Sequence, residues 1–315
     1  MDVRFPDLSR RSLGIGLDLH WGGRVGLQAR DDGADALSPA LAGFVERYRD
    51  TLGHSFFSWQ PRSRGRLSAG ADLDAYQRLV AAMGPSATVG LHHTALNLAH
   101  SDRYPRAELL EHTNRLLRAT GMRWVNEDLG LWSIAGKPLP YPLPPFLTDD
   151  GLAVCVDAVC EVNTALLAPL LVEFPGFSSD WSLVVGPWDA YDFFREVVHR
   201  SEAACTLDTG HLLSWRWLQG HRGDALLHDL DCLPLDHCFE VHLSGAEVRD
   251  GVFFDAHHGV LLDAQLDLLD ALVERCPNLR AVTFEDPRLC DDGRLEPASQ
   301  QAWDRLQQRL SGWLA

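Results

Sequence analysis

The chain has seven cysteines, but no two stand in a CxxC pair and the count is odd, which excludes a zinc ribbon and a fully paired disulfide framework. Cys155, Cys160, Cys205, Cys232, Cys238, Cys276 and Cys290 are therefore expected as reduced thiols. Positive charge is scarce: 28 Lys and Arg against 44 Asp and Glu leave a formal net charge of −16. Such an acidic surface repels phosphate backbones, so no nucleic-acid partner is expected. No apolar run approaches the roughly 18 residues of a membrane span, and the opening MDVRFPDLSRRSLGIG lacks a secretory apolar segment. The expectation is a cytoplasmic protein with no membrane partner. A glycine-rich phosphate loop is missing too, because Gly14-Ile15-Gly16 falls inside an apolar run, not in a strand-to-helix turn.

What the chain does contain is a recurring unit. Eight short apolar runs (LGIGLDLH, HSFFSWQ, TVGLHH, WVNED, LLVEF, CTLDTGH, FEVHLSG and AVTFED) have the length and composition of buried strands. Between them lie segments whose apolar residues return every three or four positions, such as SPALAGFVERYRDTL, PRAELLEHTNRLLRAT, DALLHDLD and ASQQAWDRLQQRLSGWL. Thr148 to Asp150, Asp72 and Ser299 are candidate helix starts. With 46% hydrophobic and 23% charged residues, the 315-residue chain can bury one large core. The strand–helix alternation predicts a single (β/α)8 TIM-barrel domain over 1–315, an open doubly wound sheet being the competitor. The proline-rich stretch from Gly136 to Phe146 reads as an insertion after the fourth strand, placed to shape a substrate channel or to serve as a rigid connector.

Seven of the eight runs end in residues that can bind a metal, and a barrel gathers strand ends at one face. The candidate ligands are His92, Glu127, Glu173, Asp208, His211, His221, His242, Asp255, His257 and Glu285. Carboxylate oxygen and imidazole nitrogen without thiolate suit iron, manganese or zinc. Ten such groups exceed the needs of one catalytic zinc, so the economical reading is a cluster of two or three metals, whose charge also offsets the mutual repulsion of the acids. Asp18, His20 and Asp286 also close strands, and Arg62 and Arg64 are candidates to hold a substrate carboxylate.

The phrases VGLHHTALNL, WVNEDLGLWS, LLVEFPGFS, TLDTGHLLSW, QGHRGD, EVHLSG, FDAHHGV and TFEDP resemble, in order and spacing, the motifs of the multinuclear non-haem iron-dependent oxidative enzymes, the family that includes the methanobactin-forming enzyme. The resemblance runs from Gly14 to about Pro287. It implies a xylose-isomerase-like barrel holding two or three irons, Fe(II)/Fe(III), that uses O2 to modify a ribosomally made peptide, often at cysteine. It also implies a peptide substrate delivered with the help of a separate peptide-binding protein. His92, Glu127, Glu173, Asp208, His221, His242, Asp255, His257 and Glu285 fall on positions of the family's motifs. The chain departs from the family at Asp128, where a His is common, at His211 in place of Asn, at Ala246 in place of a second His, and around Trp59 to Arg62. Asp128 and His211 are thus candidates for a re-drawn cluster, and with Asp208 they are the candidate catalytic residues. A divalent-metal sugar isomerase or phosphoesterase on the same barrel is the alternative enzyme, and a binding scaffold that has lost its cluster is the non-catalytic one.

Overall fold

Runs rich in β-branched and aromatic residues form strands that tolerate burial on both faces, provided every backbone group pairs with a neighbour. The structure, a computed structural model, describes residues 3–19, 27–29, 35–59, 71–100, 106–134, 137–177 and 184–315. His20, Arg62 and Arg64 lie outside the described residues. In chain order the first strands are β1 (Ser12–Leu17), β2 (Leu27–Ala29), β3 (Asp35–Leu37), β4 (His54–Trp59), β5 (Val89–His93), β6 (Val125–Asp128) and β7 (Leu131–Ile134). They are followed by β8 (Lys137–Leu143), β9 (Leu170–Glu173), β10 (Ala204–Asp208), β11 (Cys238–Leu243), β12 (Ala246–Arg249), β13 (Val252–Asp255) and β14 (Ala281–Glu285).

Eight of these strands close into a parallel barrel in the order β1-β14-β11-β10-β9-β6-β5-β4, and they are the eight runs marked in the sequence. The remaining six form antiparallel ribbons, β2 with β3, β7 with β8, and β12 with β13. The interleaved helices are α1 (Pro39–Tyr48), α2 (Ala71–Met83), α3 (Arg106–Thr120), α4 (Asp149–Ala165), α5 (Ala190–Ser201), α6 (Thr209–Leu218), α7 (Asp263–Arg275) and α8 (Pro297–Leu314). All seven cysteines are free, as expected from the sequence. Among the described residues no helix is long and apolar enough to cross a membrane.

Local chemistry explains where helices start. Thr148 caps α4 by accepting from the Gly151 amide at 3.0 Å. Asp208, the last residue of β10, accepts from the His211 amide at 2.8 Å, so α6 begins with no intervening loop. Two expectations are corrected. DALLHDLD forms 3-10 turns at Gly223–Leu227 and Leu230–Cys232. Ser299 lies inside the first turn of α8, where its Oγ accepts from the Arg288 amide at 2.9 Å, because Pro297 already starts the helix behind Glu296.

The barrel interior is layered. At the N-terminal ends of the strands Trp124, Leu171, Ala204, Phe239 and Ala281 form an apolar plug against Val3, Phe5 and Leu8. Above it the lining turns polar, with His54, Asn126, Thr206, Glu240 and Thr283 all buried. The two glycines of β1 make room for this layer: a Cβ on Gly14 would lie 2.5 Å from the His54 ring, and one on Gly16 would collide with the Phe56 ring. Gly14-Ile15-Gly16 therefore serves close packing inside the barrel.

Candidate metal centre

The C-terminal ends of the strands deliver the site. His92 ends on β5, Asp128 on β6, Glu173 on β9, Asp208 on β10, His242 on β11 and Glu285 on β14, all buried. His211 comes from the first turn of α6, Asp255 from the end of β13, and His257 follows two residues later. His92, Asp128, Glu173, His211, Asp255, His257 and Glu285 line one cavity of about 250 Å³, together with Asp18, Asp286 and the ring-bearing walls Trp132, Tyr141 and Pro142.

The polar contacts are close. His92 Nε2 lies 3.2 Å from Glu173 Oε2 and 3.8 Å from Glu285 Oε1. His242 Nδ1 lies 3.2 Å from Glu173 Oε1 and 3.5 Å from Glu285 Oε2. His211 donates from Nδ1 to the Phe174 carbonyl at 2.7 Å, and its Nε2 lies 3.1 Å from Asp255 Oδ2. His257 bridges Asp255 at 3.0 Å and Asp286 at 3.1 Å, and the Tyr141 hydroxyl donates to Asp255 at 2.9 Å. Beneath the ligand layer, Asn126 donates to Glu173 and approaches His242, each at 3.1 Å, while Glu240 lies 3.4 Å from His242 Nε2.

Ligand-type atoms fall into overlapping groups whose members lie within 4.8 Å of one another: His92 with His242 and Glu285; Glu173 with Asp208, His242 and Glu285; Asp128 with Glu173 and His211; and His211 with Asp255 and His257. Glu173, His211, His242 and Glu285 are each shared between two of these four groups. His92 Nδ1, Asp128 Oδ1, Asp208 Oδ2 and Glu285 Oε2 are buried without a hydrogen-bond partner. Buried polar atoms are rarely left so, and four in one cluster of ligand-type groups fit the coordination needs of cations held by oxygen and nitrogen.

The charges tell the same story. Burial opposes charge on His92, but Glu173, with Glu285 and Asp128 behind it, outweighs burial and lifts the imidazole to about 10. His211, His242 and His257 are likewise raised well above the usual histidine range against the pull of burial, by Asp208 and Asp255, by Glu173 and Glu240, and by Asp255 and Asp286 respectively. Burial first, and then the neighbouring Glu173, pushes Asp128 up to about 7. Without a cation the acids and imidazoles hold protons between them.

Asp208 and His242 join the cluster from just beneath the cavity, and two of the ten candidate ligands are not brought to it. Glu127 faces the opposite side of β6, where its Oε2 sits 3.0 Å from His93 Nδ1, because alternate residues of a strand point to opposite faces. His221 is half-buried beyond the end of α6 and does not line the cavity. Conversely, Asn126 and Glu240 had a signal in the sequence, lying two residues from Asp128 and His242 and so on the same strand face. Tyr141, inside the proline-rich stretch, had no such signal.

Fold and site together define a metal-type pocket at the mouth of a xylose-isomerase-like TIM barrel. The D-allulose 3-epimerase of Methylomonas sp. is similar at a TM-score of 0.55 and 17% identity, over 98% of this chain and 100% of that one. A xylose isomerase domain protein of Planctomyces limnophilus has a TM-score of 0.56 at 11% identity, over 96% and 98% of the two chains. The sequence model of the RiPP precursor modification enzyme MbnB/TglH/ChrH family matches residues 71–295, and the chain belongs to that family. A UPF0276 protein of Streptomyces avermitilis is 27% identical over 219 residues, covering 66% of this chain and 43% of that protein. The aligned part thus spans less than half of that relative.

Proposed function

We propose that the protein is a cytoplasmic iron-dependent oxidase that uses O2 to modify a residue, such as cysteine, of a ribosomally made peptide. The observation that carries this reading is the set of overlapping ligand groups sharing Glu173 and His211, which suits two or three adjacent irons better than one isolated ion. In this reading His92, Glu173, Asp208, His242 and Glu285 would hold one iron, Asp128, Glu173 and His211 would hold a neighbour, and Asp255 with His211 and His257 would bound a third position. Bound iron supplies the reduction of O2 and acidifies a coordinated substrate heteroatom.

The chain's own groups do the rest. Asp208 spends Oδ1 on the α6 cap, which fixes the carboxylate and leaves Oδ2 alone for the cluster. The Phe174 carbonyl fixes the His211 tautomer, and Glu240, 3.4 Å from Nε2, holds the His242 ring with Nδ1 turned to the cluster, as supporting hydrogen bonds do in metal sites. Trp132, Tyr141 and Pro142 wall the cavity and exclude water from the substrate residue. A peptide enters at the open top face, held by a separate binding protein.

Anaerobic purification followed by metal analysis and oxygen-electrode assays with candidate precursor peptides tests the proposal. Two or more irons per chain and peptide-dependent O2 uptake are expected. Less than one iron and no O2 uptake would overturn it. The likeness in fold to a sugar epimerase supports a second reading, a divalent-metal sugar isomerase, for which zinc or manganese and oxygen-independent turnover of a ketose are the signature.

A further inference from the structure

At the opposite end of the barrel, where the strands begin, a second group of ligand-type atoms stands clear of the cavity: His199, Asp236 and His237, with one atom of each within 4.8 Å of the others. His199 lies in the last turn of α5, and Asp236 and His237 immediately precede β11. His242 is five residues further along β11, which sets this group roughly 16 Å from the cluster at the rise of an extended strand. Nothing in the proposed chemistry uses it.

We propose that His199, Asp236 and His237 form a second, structural site for a late first-row divalent cation such as Zn2+. His237 donates from Nδ1 to the Ala203 carbonyl at 2.8 Å. Its Nε2 then presents a lone pair to Asp236 Oδ2 at 3.9 Å, an arrangement that attracts only with a proton or a metal ion between the two. A ring nitrogen tied to a backbone carbonyl, with the other nitrogen free for the metal, is the usual state of a ligating histidine. Asp236 is also placed in advance: its own carbonyl accepts from Asn278 Nδ2 at 2.6 Å, and the His237 amide donates to the Pro234 carbonyl at 2.9 Å. His199 Nε2 lies 3.3 Å from Asp236 Oδ1, and its position at the C-terminal end of α5 adds the negative pole of the helix.

Two imidazoles and one carboxylate match zinc, copper or nickel and reject magnesium, which demands oxygen ligands. The side chains of His199 and Asp236 are 40% and 66% exposed, so an ion reaches them from solvent without any opening of the fold. Bound there, the ion ties α5 to the segment that enters β11 and staples two neighbouring βα units on the face remote from catalysis.

Equilibrium dialysis of the iron-loaded protein against Zn2+ at pH 8, above the ordinary histidine range, tests this. The wild-type chain is expected to bind one more Zn2+ than the H199A/H237A variant, with the same iron content and the same O2 uptake, and to gain thermal stability from Zn2+ that the variant does not gain. Mg2+ is expected to give neither effect. His199 is exposed, so H199A alone keeps the fold and must also lose the extra equivalent. Equal Zn2+ binding by wild type, H199A and H199A/H237A would overturn the proposal, whatever the metal content of the cavity.

Discussion

Side chains alternate along a strand, so of the consecutive Asn126, Glu127 and Asp128 only the first and third can enter the barrel. Glu127 meets His93 instead, and the protons in that pair follow from a neighbour. The Thr113 hydroxyl donates to the Leu109 carbonyl and so accepts from His93 Nε2, which leaves Nδ1 as an acceptor that takes the Glu127 proton. Burial pushes Glu127 up to about 8 and His93 down to about 3, so the pair is neutral at pH 7. Two predictions result. E127Q is expected to keep the full metal content while E173Q loses at least half of it, measured by metal analysis; loss of metal in E127Q would restore Glu127 as a ligand. A raised carboxyl stabilises the fold below its ordinary pKa, and that stabilisation is lost as pH rises towards the folded value. Wild-type stability should therefore fall by on the order of 3 kcal/mol between pH 5 and pH 8 relative to E127Q, whose amide donates at every pH. Urea unfolding at several pH values reads this, and parallel slopes would refute it. The types of the ligand residues were legible from composition and spacing, but which of two adjacent acids enters the barrel needed the strand's facing.

At the scale of elements, all eight barrel strands were legible because each is a short, uninterrupted apolar run, and most helices because their apolar spacing is amphipathic. Helix α6, which is not among the helical segments read from the sequence, goes unmarked for a physical reason. Its first turn is capped by the last residue of a strand, so strand and helix share one phrase, CTLDTGH, with no loop to mark the change. The proline-rich insertion supplies β8, which pairs antiparallel with β7, and Pro138, Pro140 and Pro142 share one parity, so one edge of β8 offers no N–H at those positions. That ribbon carries Tyr141 to Asp255, and Ser244 donates to the other Asp255 oxygen at 2.7 Å. The hydroxyl thus clasps the β7–β8 ribbon to the end of the β12–β13 ribbon over the cavity. Y141F removes one hydrogen bond to a charged group, about 1.5 kcal/mol, and is expected to slow peptide turnover about tenfold with the metal content unchanged. Steady-state assays alongside metal analysis check it, and a turnover rate equal to wild type would leave Tyr141 as a wall only.

For the whole molecule, the barrel is a graded structure, with an apolar plug below, a hydrogen-bonded polar layer in the middle, and acids and imidazoles at the top. The top layer has to neutralise several buried carboxylates, and it can do so with protons on the imidazoles or with metal ions. The two solutions depend on pH in opposite senses. In the metal-free protein the raised histidines stabilise the fold at pH values below about 6.5 and lose that contribution as pH rises, His92 towards about 10. Metal must displace those protons, so its affinity increases with pH, and the stabilisation it confers grows with affinity at fixed metal concentration, reaching about 2.7 kcal/mol when free metal is a hundred times its dissociation constant. The gap in melting temperature between metal-loaded and chelated protein is therefore expected to widen from pH 6 to pH 8.5, with the chelated form falling and the loaded form holding level. Calorimetry at matched free-metal concentration measures it, in H199A/H237A so that the cluster alone is read. A gap that narrows with rising pH would mean that the cluster's acids are not neutralised by metal, and the iron-dependent reading would lose its electrostatic basis.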